Sequence, residues 1–201
     1  HVRSRRQRQM CIRDSTYVAT ARAGNVIGGG DWAEDRVVPD SMVAWSQNKT
    51  VTIRSPHATR PWQHVLEPLS GYLQLGSELF LRNTNFRNES YNLGPEPDVN
   101  KTVEELLNEM KRHWELVNWN VELPKDIKMK EAGLLKLSCD KANNYLNWYT
   151  TLDFKKTIEF TVVWYKEFYS SEAKESISDL TLNQINEFCK VAKAKKLKWT
   201  F

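Results

Sequence analysis

Asn25, Arg36, Arg54, Arg60 and His64 crowd into residues 22 to 68, among glycines and prolines that form turns. That is more directional polar chemistry than a plain core segment needs. The sharpest stretch is Arg60-Pro61-Trp62-Gln63-His64-Val65. A guanidinium can grip two phosphate oxygens at once, the task a nucleotide diphosphate sets. On spacing alone, Arg60 reads equally as a surface arginine beside a structural tryptophan. Gly28-Gly29-Gly30-Asp31-Trp32-Ala33 satisfies G-x-G-x-x-A after a β-branched run. A dinucleotide fingerprint needs a long helix next and an acidic residue about 20 positions on. Pro39 arrives too soon, and the region near position 50 offers Lys49 and Arg54. The glycines read better as a tight loop where backbone approaches a ligand closely.

Other chemistries find no support. The four histidines, at 1, 57, 64 and 113, show no pair at metal-ligand spacing. No G-x-S-x-G elbow and no P-loop occur. Cys11, Cys139 and Cys189 are odd in number and widely spaced, neither a disulfide framework nor a zinc ribbon. No apolar run approaches the ~20 residues a membrane span requires. A reducing, cytoplasmic setting without membrane attachment is the expectation.

The net charge of +4 comes from the first 15 residues, which hold five Arg and one Asp. The other 186 balance at 24 basic and 24 acidic, so charge gives no evidence for a nucleic-acid partner. Residues 1–15 have no apolar period, and RQMCIRDS looks like translated adapter read-through. They read as a non-native or unstructured leader, with the open reading frame truncated at its start.

The elements that must position these residues alternate between strand and helix, an α/β pattern. Thr16 to Arg22 reads as a buried strand feeding the Gly-Asn turn. A short helix opens at Pro39-Asp40, Thr50 to Arg54 alternates like a strand, and Glu67-Pro68 starts a helix to about Leu81. Tyr91-Asn92-Leu93 is a short strand stopped by Gly94-Pro95. Thr102 with Glu105 forms a capping-box pattern ahead of Leu106, Leu107, Met110 and Trp114. Thr151 reads as the cap of a helix whose Phe154, Ile158, Val162, Tyr165 and Phe168 form a packing stripe. Residues 170–201 read as a polar, lysine-rich tail with a short helix over Leu182 to Ala194. Its five closing lysines suit a solvated face, or a partner-docking tail.

Residues 16–169 resemble the second half of the CDP-glucose 4,6-dehydratases, extended short-chain dehydrogenase/reductases of the NAD-dependent epimerase/dehydratase family. RAGNVIGGGDWAEDRVVPD and IRSPHATRPWQHVLEP carry the likeness most densely. The resemblance implies the C-terminal part of a Rossmann fold, its last parallel strands interleaved with a smaller mixed α/β substrate-binding domain. It implies that Arg60 contacts the diphosphate with His64 as companion, and that Asn25 hydrogen-bonds the substrate near its phosphates and sugar. Arg36 matches a basic residue near the nucleotide, Arg54 replaces an aromatic that stacks on the base, and Asn92 matches a polar contact to the nucleotide end. A planar guanidinium can stack as well.

The implied reaction converts CDP-glucose to its 4-keto-6-deoxy product for deoxysugar and O-antigen synthesis. It is an NAD-dependent lyase reaction in which hydride leaves C4 and returns to C6 with loss of water. The family's glycine turn and Tyr-x-x-x-Lys pair lie upstream of these motifs, and only 21 residues precede them here. The expectation is therefore a substrate-binding half, inactive alone, drawn from a homo-oligomeric enzyme. An epimerase of the same superfamily and a non-catalytic nucleotide-sugar-binding module are the alternatives. Departures from the family fall at Lys130, where His is usual, at Asn147, where Gly is, and at Ser138 and Asp140, where Asp and Ser are.

Overall fold

A computed structural model describes residues 17–95, 100–122, 137–172 and 175–201. Lys130 and the Glu131-Ala132 segment that resembles the family lie outside them. The strands form four pairs. β1 (Thr20–Ala23) runs parallel to β6 (Ser90–Leu93), and β2 (Val26–Ile27) parallel to β5 (Gln63–His64). β3 (Val51–Ile53) runs parallel to β8 (Trp119–Val121), while β4 (Thr59–Pro61) and β7 (Asn100–Thr102) are antiparallel. This is the expected α/β class with parallel strands joined through helical crossovers.

Three helices lie between these strands. α1 (Val37–Ser46) buries Val38, Met42 and Trp45, and α2 (Leu66–Phe80) buries Glu67, Ser70, Gln74 and Leu75. α3 (Val103–Met110) carries the capping box: Thr102 accepts from the Glu105 N–H while Glu105 accepts from the Thr102 N–H. That reciprocal cap sets α3 so that Leu106, Leu107 and Met110 enter the main core. There they join Ile158, Val162 and Tyr165 of α4 (Phe154–Tyr169). Phe168 leaves the stripe and is exposed.

Two helix starts differ from expectation. α4 is capped by Asp153, whose carboxylate accepts from the Lys156 N–H at 2.8 Å, not by Thr151. Thr151 is buried, with its own N–H already bonded to Glu67. α5 (Ile177–Ala194) begins before Leu182 because Ser176 caps it, accepting from the Asp179 N–H at 3.1 Å. Leu180, Gln184, Phe188 and Ala192 turn inward, and Gln184 donates to the Phe160 carbonyl at 2.8 Å. Lys190, Lys193, Lys195, Lys196 and Lys198 are exposed, and Lys198 reaches back to Glu78 of α2 at 3.0 Å.

Asn147 sits at φ +53°, after a π-type turn over Ala142–Leu146. Glycine reaches that left-handed region without a Cβ penalty, and asparagine is among the few residues that also tolerate it. The substitution at this position is thus compatible with the same turn.

Candidate functional site

The site is built where the parallel strands end. Arg22 lies opposite Asn92 and Ala23 opposite Leu93, so β1 and β6 terminate side by side. The chain then turns through Gly24-Asn25 into β2. Gly24 donates its N–H to the Leu93 carbonyl at 3.3 Å, and the Asn25 carbonyl accepts from the Gln63 N–H at 3.0 Å. The Gln63 side chain, almost wholly buried, donates to the same Leu93 carbonyl at 2.9 Å. One residue of β5 therefore stitches the Asn25 turn to the end of β6. In open α/β sheets, the carboxyl ends of parallel strands are where ligands bind.

Arg60 arrives from the other side. A Cβ built on Gly24 would stand 3.1 Å from Pro61 Cγ and 3.3 Å from the Pro61 carbonyl, so the turn packs directly on the strand that carries Arg60. Arg60 is half-buried opposite Lys101, and its guanidinium donates to the Thr59 carbonyl at 2.8 Å. The Trp62 indole donates to the Lys101 carbonyl at 3.1 Å and fixes β4 on β7. Asn92 donates to the Ser138 carbonyl at 2.8 Å. Asn25, Asn92 and the strand bearing Arg60 are thus gathered at one edge.

Arg54 and Arg36 stand on the exposed surface. Arg54 is exposed just beyond β3 and makes no hydrogen bond or ion pair among the described residues. Arg36 is exposed at the start of α1 and pairs with Asp31 at 2.9 Å. His64 lies deeper than the arginines. It is only 2% exposed, edge-on to the Phe160 ring at 5.5 Å between centroids. Burial pushes its pKa down to about 4, so the imidazole is neutral. His64 thus lies in the core beside Phe160, and its buried Nε2 has no hydrogen-bond partner among the described residues.

The glycine loop corrects one expectation. A Cβ on Gly28 would meet Val65 Cγ1 at 2.8 Å, and one on Gly29 would meet Trp164 Cδ2 at 2.0 Å. The close approach is by this chain's own side chains. Both glycines are filled, and six residues separate Gly30 from the first turn of α1. Gly28 and Gly29 are thus packing positions against Val65 and Trp164. No group of three or more His, Cys, Asp or Glu able to hold a metal occurs among the described residues, and no described helix is long and apolar enough to cross a membrane.

Sequence reasoning passed over Gln63, Glu67, Asp31 and Tyr165. Glu67 is 1% exposed and anchors the segment leading into α4 through the Thr151 and Leu152 N–H groups. Burial raises its pKa to about 7 against those hydrogen bonds. In the sequence it marked only the start of a helix, and nothing local signals a buried anchor.

No family model matches the chain. CDP-glucose 4,6-dehydratase of Salmonella typhimurium is 40% identical over 168 residues, covering 81% of this chain and 46% of that protein. The chain thus spans about half the length of this curated relative. An epimerase of Methanothermobacter thermautotrophicus superposes with a TM-score of 0.67 at 20% identity, over 83% of this chain and 48% of that one. UDP-glucose 4-epimerase of Thermotoga maritima, determined with UDP-glucose, gives 0.64 at 17% identity, over 83% and 52%. dTDP-glucose 4,6-dehydratase of Bacillus anthracis, in complex with NAD, gives 0.59 at 16% identity, over 79% and 48%. The parallel strand ends and these superpositions define the fold as that of the extended short-chain dehydrogenase/reductases of the epimerase/dehydratase type. Within that class, the chain is by sequence a relative of CDP-glucose 4,6-dehydratase.

Proposed function

We propose that this chain supplies the nucleotide-sugar grip of a CDP-glucose 4,6-dehydratase. The observation that carries the reading is the convergence of the Asn25 turn, the Asn92 strand end and the Arg60 strand on one edge of the parallel strands. In this reading Arg60 clamps the diphosphate and Asn25 hydrogen-bonds the substrate beside it. Asn92 addresses the nucleotide end, while Arg54 and Arg36 approach from the exposed rim.

Binding energy from the nucleotide, remote from the reacting carbons, holds the sugar in place for chemistry elsewhere. NAD, when bound, would supply the acceptor and donor of hydride. The residues named here hold the substrate, and no step of that chemistry is assigned to them. The reading also assigns the chain to deoxysugar synthesis in the cytoplasm, within an oligomeric enzyme.

A nucleotide panel tests this. Calorimetric titration of the chain with CDP-glucose, UDP-glucose and dTDP-glucose should give its tightest binding for the cytidine compound. Equal affinity for all three would move the reading to a general nucleotide-sugar binder. Tightest binding of UDP-glucose would favour an epimerase.

A further inference from the structure

We infer that Tyr165 is a positioning residue for this site, acting through Asp31 on Arg36. The inference rests on the nucleotide-sugar reading and adds to it a residue 134 positions away from the loop it controls.

Arg36 by itself is a poor grip. Its side chain is 59% exposed, and a long mobile arginine gives up rotamer entropy when it is fixed. An exposed ion pair to an equally mobile acid would do little to offset that. Asp31 is not mobile in this sense. Its Oδ2 accepts from Arg36 at 2.9 Å, and its Oδ1 accepts from the Ala33 N–H at 3.0 Å. Its main chain is held from both sides by a single phenol: the Asp31 N–H donates to Tyr165 Oη at 3.0 Å, and Tyr165 Oη donates to the Asp31 carbonyl.

Tyr165 itself is fully buried in the main core. Burial pushes its pKa up to about 12, so the phenol keeps the proton that the Asp31 carbonyl requires. The same helix holds the loop at two further points. Gly29 admits the Trp164 ring against the backbone, and the Trp32 indole donates to Tyr169 Oη at 3.1 Å. Residues 29 to 32 thus lie on α4, and the Asp31 pair ties Arg36 to them. The Asp31 pair engages one N–H group of the guanidinium, so its other donors can meet an anionic oxygen while the arm stays in place. Pre-ordering of this kind raises affinity by lowering the entropy lost on binding.

A double-mutant cycle on the full chain, read by calorimetric titration with CDP, tests the coupling. Arg36→Gln should weaken CDP binding about 10-fold, and Tyr165→Phe and Asp31→Asn each roughly 3- to 10-fold. In the Arg36→Gln background, Tyr165→Phe should cost almost nothing more, because its effect runs through Arg36. Asp31→Asn leaves the core untouched and carries the same expectation if Tyr165→Phe fails to fold. An equal loss from Tyr165→Phe in both backgrounds would show a merely structural role and overturn the inference. CDP binding that depends on Arg60 but ignores both Tyr165→Phe and Asp31→Asn would overturn it while sparing the function. No saturable CDP binding by the unsubstituted chain would overturn both.

Discussion

Both carboxylate oxygens of Glu67 accept the backbone N–H of Thr151, at 3.0 and 2.9 Å, and one also accepts the Leu152 N–H at 2.6 Å. This buried acid, three residues after His64, joins the segment below the site to the entrance of α4. The two titrating groups push stability in opposite directions. Glu67 is raised from 4.5 to about 7, so the folded state holds its proton more tightly. Its contribution to stability falls as pH climbs through that interval. His64 is lowered from 6.5 to about 4, so its contribution falls as pH drops through that one.

Where the two intervals overlap, the slopes oppose each other, and these two groups together should leave stability nearly flat between pH 4.5 and 6.5. Glu67→Gln removes one arm. Above pH 7 the variant should be the more stable protein, because the burial penalty on the charged carboxylate is gone. It should also show a stability that rises with pH from about 4 to 6.5, the His64 limb alone. Urea melts across pH give the answer; equal pH slopes in both proteins would contradict the account.

Two glycines should respond with opposite signs. Gly29→Ala drives a methyl to within 2.0 Å of Trp164 Cδ2, and the ring must move, costing about 1–3 kcal/mol. Gly76→Ala has nothing within 4 Å and lies in α2, so it should stabilise by roughly 0.5–1 kcal/mol. Thermal melts of the two variants side by side check the contrast. A destabilised Gly76→Ala would mean that α2 is not an ordinary exposed helix there.

The lysine-rich end should behave as part of the fold. Phe188 packs with Leu152 and Phe160 and stacks on Trp199 at 5.5 Å between ring centroids. Phe188→Ala should cost about 3–5 kcal/mol in urea unfolding. Glu187→Gln, which breaks only the Lys156 pair at 2.7 Å, should cost about 1 kcal/mol or less. Equal effects would place α5 outside the cooperative unit.

The parts of this fold that were legible in the sequence are those encoded locally. The Thr102 and Glu105 capping box needs only three-residue spacing, and α3 starts where it says. Gly24-Asn25 and Gly94 stand where β1 and β6 end, as turn-forming residues do. What stayed hidden is encoded across the chain. Gln63 reads as an unremarkable polar residue until Leu93 is beside it, and Tyr165 as one more aromatic in a packing stripe until Asp31 meets its hydroxyl. The burial of His64 was hidden for the complementary reason. Its residue type suggests chemistry, while its place in β5 turns it into the core against Phe160.

The most direct test of the nucleotide-sugar reading is the CDP affinity of Arg60→Ala beside that of the unsubstituted chain, with matched circular dichroism to show that both are folded. Loss of a charge-assisted contact to the diphosphate predicts about a 10- to 100-fold weakening. Unchanged affinity in a folded Arg60→Ala variant would remove Arg60 from the site and contradict the account.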